Sequence, residues 1–167
     1  MSTEPPCLHV ICGKIAAGKS TLAAQLGSVP NTVIIAEDHW LAALFKDQMA
    51  TGQDYMRFAA KLKTVMGPHV AAILRSGVSV VLDYPANTVD FRRWMLDVAA
   101  AGSAQCIIHV LDVPDEVCLA RLKARNIEGA HDFAATETQF RQFTKHYQPP
   151  SAEEGFDVIR VMGPTRT

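Results

Sequence analysis

The sequence lacks a dominant charge: sixteen Lys and Arg stand against seventeen Asp and Glu, a net of −1 over 167 residues. A chain that follows nucleic acid by bulk electrostatics is normally basic, so a nucleic-acid partner is disfavoured. No run of 18 apolar residues occurs, and Met1–Pro6 has neither a basic nor an apolar signal-peptide region. The expectation is a cytoplasmic protein with no membrane segment. The four cysteines, Cys7, Cys12, Cys106 and Cys118, lack any C-x-x-C spacing. Cys7, His9 and Cys12 do not make a metal set, because His9 and Cys12 are an odd number of residues apart along a strand and face opposite sides. Reduced, mostly buried thiols are expected. No repeat, linker or low-complexity tract interrupts the chain. What is present is a 49% hydrophobic composition, consistent with one domain over residues 1–167 that buries about 70% of its unfolded surface.

Five short apolar runs read as strands: Leu8–Cys12, Thr32–Ala36, Val78–Leu82, Ala104–Leu111 and Phe156–Val161. Helical patterns separate them, which specifies a parallel α/β sheet, its strands buried, with helices on both faces. Between the second and third strands the spacing predicts one helix from His39 to about Met49. A second is capped by Asp54, and a third begins at Gly67-Pro68, with Pro68 suited to a first turn. Asn87 or Thr88 caps the next helix, through Phe91, Met95 and Val98. Another runs from about Asp115 to Arg125, and Asn126–Ala135 reads as a loop. Thr136-Glu137-Thr138-Gln139 is a capping box before a helix carrying Phe140, Phe143 and Tyr147.

The chemistry centres on Gly13-Lys14-Ile15-Ala16-Ala17-Gly18-Lys19-Ser20-Thr21. This stretch matches the P-loop pattern of Gly, four free residues, then Gly-Lys-Ser/Thr. It sits between an apolar strand and a helix (Leu22–Leu26), the context that separates a P-loop from a chance Gly-rich turn. Successive N–H groups and the positive end of the helix dipole converge on one point there. Gly13, Lys14, Ala16, Ala17, Gly18, Lys19, Ser20 and Thr21 are therefore the expected nucleotide-binding residues. Lys19 would meet the β- and γ-phosphates of ATP, and Ser20 would ligate Mg²⁺.

In a parallel sheet, ligands bind at the carboxyl ends of the strands. Glu37-Asp38, Asp83 and Asp112 stand there. Asp83 follows an apolar strand as a second metal residue would. Asp38 is the candidate to accept a proton from an acceptor hydroxyl; it is alternatively an N-cap. Strand parity points Glu37 away from it. Arg121 and Arg125 share a helix face, either as a solvated stripe or as a lid over the triphosphate that excludes water. Lys123 points elsewhere. Asn87, with Arg92 and Arg93 behind it, could contact the acceptor, as could His39 and Trp40. Tyr55, Arg57 and His131 are further candidates, while His9 and His109 read as satisfied core histidines.

Together, Gly13–Thr21, Asp38, the Asp83…Asn87…Arg93 stretch and Arg121…Arg125 resemble the small P-loop kinases. More narrowly they resemble the AAA_33/zeta-toxin-like group, relatives of polynucleotide 5′-hydroxyl kinase domains and chloramphenicol phosphotransferase. The resemblance implies a three-layer P-loop NTPase fold, with a five-stranded parallel sheet in the order 2-3-1-4-5 and a helical lid at about 115–147. It also implies Asp38 as base and transfer of the γ-phosphate of ATP to a hydroxyl acceptor. The spacer Tyr84-Pro85-Ala86 between Asp83 and Asn87 departs from the family pattern. Two function classes follow: a kinase for a small hydroxylated molecule, or an ATP-binding switch or slow ATPase that signals to a partner.

Overall fold

The computed structural model describes residues 4–129 and 134–162. The strands are β1 (Cys7–Cys12), β2 (Thr32–Ala36), β3 (Ser79–Asp83), β4 (Gln105–Asp112) and β5 (Asp157–Met162). They form one sheet in the order β2-β3-β1-β4-β5, and every pair is parallel. The order is the one the resemblance implies. The helices are α1 (Lys19–Gly27), α2 (Glu37–Phe45), α3 (Gly52–Arg75), α4 (Val89–Ala101), α5 (Asp115–Glu128) and α6 (Glu137–Lys145).

Alternation along the strands sends side chains to two cores. Leu8, Val10, Val80, Leu82, Ile108 and Val110 meet Phe58, Leu62, Val70 and Leu74 of α3 and Met95 and Val98 of α4. On the other face, Ile11, Val81 and Leu111 meet Ala23 of α1, Cys118 and Leu122 of α5 and Phe140 of α6. Among the described residues no helix is long and apolar enough to cross a membrane.

Three sequence expectations are corrected here. The helix expected to break at Gly67-Pro68 is a single helix, α3, with Pro68 inside it. An interior proline costs about 3 kcal/mol. The buried stripe Phe58, Leu62, Met66, Val70, Leu74 crosses it without interruption, and each such side chain recovers roughly 1.5–3 kcal/mol. Gly67 lies against α4, where an added Cβ would reach ordinary contact with Trp94, 3.4 Å from its Nε1. The cap of α3 is accordingly Thr51 and not the expected Asp54, which returns the bond from the third position of the capping box. Second, β2 is not a buried strand. It is a sheet edge, so Val33 and Ile34 are exposed and only Ile35 is fully covered. Third, α6 ends at Lys145, leaving Tyr147 beyond it and Phe143 exposed.

The thiols are free, and burial pushes Cys7 up to about 11 and Cys106 up to about 12. His9 and His109 satisfy one another across β1 and β4, with Nδ1 and Nε2 3.1 Å apart.

Arg92 and Arg93 part company. Arg92 is wholly buried. Its Nε and Nη2 donate to Glu154 at 2.7 and 2.9 Å, and its Nη1 donates to the carbonyls of Ala86 (2.9 Å) and Gln148 (2.8 Å). These bonds hold the Glu154 carboxyl below its ordinary range. They also fasten the loop after β3 to the segment after α6. Arg93 is exposed and pairs with Asp90 in its own helix at 3.3 Å. Removing one partner of a buried ion pair costs about 3–5 kcal/mol, whereas an exposed pair contributes roughly 0–1 kcal/mol. Urea denaturation is therefore expected to show Arg92→Ala destabilised by several kcal/mol and Arg93→Ala nearly unchanged.

Candidate active site

The segment between β1 and α1 is built around two left-handed residues, Ala16 (φ 60°) and Gly18 (φ 102°). Alternation of this kind turns consecutive N–H groups toward one concavity. Among the described residues α1 starts with no side-chain cap and no acidic residue in its first turn, so neither offsets its N-terminal donors and positive dipole end. Gly13 is required for packing, since a Cβ there would lie 3.1 Å from Leu111 Cβ on β4. Lys19 curls back across the loop, and its Nζ donates to the carbonyls of Gly13 (2.8 Å) and Lys14 (2.7 Å). Burial depresses the Lys19 pKa, with the Asp83 charge opposing it. Lys14 pairs with Asp115 at the start of α5.

Parallel pairing sets Ala36 of β2 opposite Asp83 of β3, so the two carboxyl ends open side by side next to the loop. Ser20 Oγ donates to Asp83 Oδ2 at 3.3 Å, and burial raises the Asp83 carboxyl, with Lys19 and Ser20 opposing. A hydroxyl and a carboxylate are hard oxygen donors. Two of them suit Mg²⁺, which keeps several waters and takes phosphate oxygens for the rest of its shell. Among the described residues no group of three His, Cys, Asp or Glu is arranged to hold a metal.

Asp38 is not an N-cap. α2 begins at Glu37, with Ala36 as the capping position, and Asp38 lies in the first turn. Helical rather than strand geometry also overturns the parity expectation for Glu37. Both carboxylates turn to one partner: Tyr55 Oη of α3 lies 2.9 Å from Asp38 Oδ1 and 3.1 Å from Glu37 Oε2. Arg125 of α5 faces this group. Burial lowers its pKa while the Asp38 charge opposes the shift. Its Nε is buried without a hydrogen-bond acceptor among the described residues, as is Tyr84 Oη. One helical turn earlier, Arg121 Nη1 donates to Ala17 O at 3.3 Å, so both arginines face the loop. Lys123 points away and pairs with Glu137 of α6 at 3.4 Å.

The acceptor candidates fare unevenly. Thr88 caps α4, while Asn87 Oδ1 accepts from Gly13 N–H at 3.2 Å. Asn87 thus braces the loop from behind. Arg93 and Arg57 point outward, paired within their own helices to Asp90 and Asp54. His39 and Trp40, with Ala43 and Leu44, line a shallow apolar hollow of about 320 Å³ on α2, and the His39 charge reaches Asp83. His131 lies outside the described residues. Sequence reasoning weighed Glu37 as the nearest competitor to Asp38 and set it aside on strand parity, and it gave no role to Tyr84. The only signal in the chain for Glu37 was an acidic pair where an apolar strand stops.

The sequence matches the AAA_33 family, an AAA domain, over residues 8–150. The chain belongs to this family. No curated protein matches it. Among solved structures, this AAA_33 chain is similar to a protein of Chloroflexus aurantiacus J-10-fl named as a candidate kinase, at 19% identity, 96% coverage of this chain and 87% of that one, TM-score 0.74. Kti12 of Chaetomium thermophilum in complex with ADP-AlF3 is similar at 15% identity, 93% and 88% coverage, TM-score 0.66. The Mycobacterium tuberculosis APS kinase CysC in complex with AMPPNP and APS is similar at 17% identity, 98% and 92% coverage, TM-score 0.60. At these identities the likeness is one of fold, that of the P-loop kinases.

The brace behind the AAA_33 loop is testable. A buried N–H that loses its acceptor costs about 1–3 kcal/mol, so Asn87→Leu is expected to lower stability by that amount in urea denaturation.

Proposed function

We propose that this chain is an ATP-dependent phosphotransferase, with ATP and Mg²⁺ on the P-loop side and a small hydroxylated acceptor on the Asp38 side. The observation that supports it best is a set of cations awaiting an anion. Lys19 Nζ donates to two carbonyls of its own loop, and Arg125 Nε is buried without an acceptor among the described residues.

A triphosphate in the concavity takes over the donors of residues Ala16 to Thr21 and draws Lys19 Nζ to the β- and γ-phosphates. Ser20 and Asp83 are the residues that would hold Mg²⁺, which supplies neutralisation of β- and γ-phosphate charge when bound. Arg125 and Arg121, on the lid helix α5, add positive charge over the γ-phosphate and limit the access of water. Asp38 accepts the proton of the acceptor hydroxyl. The acceptor oxygen forms its bond to the γ-phosphorus as the bond from that phosphorus to the β,γ-bridging oxygen breaks, and the electron pair leaves on ADP.

Two measurements test the reading. A ligand that binds only the native state stabilises it by about 2.7 kcal/mol at a hundred times its Kd. Millimolar MgATP is therefore expected to raise the melting temperature, and Lys19→Ala to remove most of the rise; an unchanged melting curve in the parent protein would count against nucleotide binding. In a screen of hydroxylated metabolites that follows ADP release, with Lys19→Ala as the blank, Asp38→Asn is expected to lower transfer by roughly 10²–10⁴-fold while MgATP affinity holds. A switch or slow ATPase with no small acceptor would be indifferent to that change.

A further inference from the structure

Glu37 has no part in the steps above, yet it is one of three buried polar or charged residues in the described chain, 2% exposed. The other two, Arg92 and His109, have structural partners. Glu37 shares its partner with the base. One phenol hydrogen lies between two carboxylates, at 3.1 Å from Glu37 and 2.9 Å from Asp38. Burial and the two neighbouring carboxylates push the Tyr55 pKa far up, so the phenol keeps its hydrogen. With both carboxylates ionised, one of them lacks it. With a proton on either acid, the row is complete: carboxyl O–H to Tyr55 Oη, and Tyr55 O–H to the other carboxylate. Asp38 is half-buried, whereas Glu37 is buried.

We propose that Glu37 is a positioning residue for Asp38, receiving through Tyr55 the proton that Asp38 takes from the acceptor and so restoring the Asp38 carboxylate. This rests on the phosphotransfer reading. The step balances: the Asp38 O–H proton moves to Tyr55 Oη as the Tyr55 hydrogen moves to Glu37 Oε2, leaving the phenol unchanged, Glu37 neutral and Asp38 anionic. After the product leaves, the reverse shift returns the proton to Asp38 and then to water.

The groups that face Glu37 agree with this direction. Burial drives its carboxyl up to about 7; the Tyr55 bond and the Lys63 charge oppose this, and the Asp38 and Asp83 charges reinforce it. Lys63 is itself seated over the rings of Phe91 (4.5 Å) and Trp94 (4.7 Å). The Tyr84 phenol also feels the Glu37 charge. Below about pH 7 Glu37 is already protonated; it then turns the Tyr55 hydrogen onto Asp38 and cannot accept a second proton. Above that pH it is an empty acceptor.

The test measures ADP formation from MgATP, with water as acceptor, across about pH 5.5 to 8.5, alongside melting temperatures over about pH 4 to 8. In the parent protein, turnover is expected to rise by up to about tenfold per pH unit and to level off above pH 7, as for one ionising group. Glu37→Gln keeps the shape and the donor to Tyr55 but holds no proton to exchange. It is expected to flatten the profile at the parent's low-pH rate. Tyr55→Phe cuts the link and is expected to flatten the rate profile too, while Glu37 still titrates in the melting curves. Because the native Glu37 carboxyl binds its proton more tightly than in the unfolded chain, its contribution to stability is full below pH 4.5 and lost as pH rises through about 7. That loss should appear in the parent and vanish in Glu37→Gln, with His109 cancelling in the comparison. An inflection near pH 7 that survives either substitution in a folded variant overturns the proposal and leaves the phosphotransfer reading standing. Absence of ADP formation in the parent, with the melting difference intact, overturns the role of Glu37 and leaves only the shared-hydrogen unit, while the phosphotransfer reading stands or falls by the metabolite screen.

Discussion

The bond on which the site depends is a lysine folded onto its own loop. Lys19 Nζ closes a ring with the Gly13 and Lys14 carbonyls, and this holds the backbone between β1 and α1 in a concave form. A buried ammonium with only neutral acceptors is costly. The cost is lowest when the loop cannot relax to expose it. Gly13 is pressed on Leu111, Asn87 takes the Gly13 N–H, and Arg92 anchors Ala86, one residue before Asn87. Glu154, far along the chain, neutralises Arg92. A line of support thus runs from the segment before β5, through a buried ion pair, to the rear of the phosphate loop.

The opposite wall is acidic, and its arrangement follows from sheet order. With β3 between β1 and β2, the carboxyl end of β3 stands next to the loop and that of β2 lies one strand further out. Asp83 therefore meets Ser20, while the Asp38 carboxylate, set one strand further out, acts on Asp83 and on Arg125 through its charge. Two carboxylates close together repel unless a proton or a donor intervenes, and the Tyr55 phenol supplies that donor for Glu37 and Asp38. Their mutual position on α2 thereby becomes a stable feature of the fold.

The corrections share a cause. Pro68 reads as a helix start in the sequence because local rules assign it there, but a buried stripe crossing α3 outweighs that preference. Arg92 and Arg93 are adjacent and chemically identical in the sequence, yet one lies inside the core and the other in solvent. Helical rotation of about 100° between neighbours decides this once α4 docks on the sheet. Glu37 and Asp38 appear as an alternating pair if read as strand and as neighbours if read as the first turn of a helix. Only the start of α2 at Glu37 resolves which.

What the chain determined by itself is whatever depends on near neighbours and on period. The phosphate loop lies within nine consecutive residues. The five strands follow from short apolar runs, and the capping box at Thr136 from residues three apart. Tertiary structure alone decided which side chains from distant segments share a hydrogen or a charge: Tyr55 with Glu37 and Asp38, Asn87 with Gly13, Arg92 with Glu154. Those partners are brought together by the order in which strands pair and by the face on which helices pack. The energy that selects that order comes from burial summed over the whole core, so no local stretch of sequence carries it.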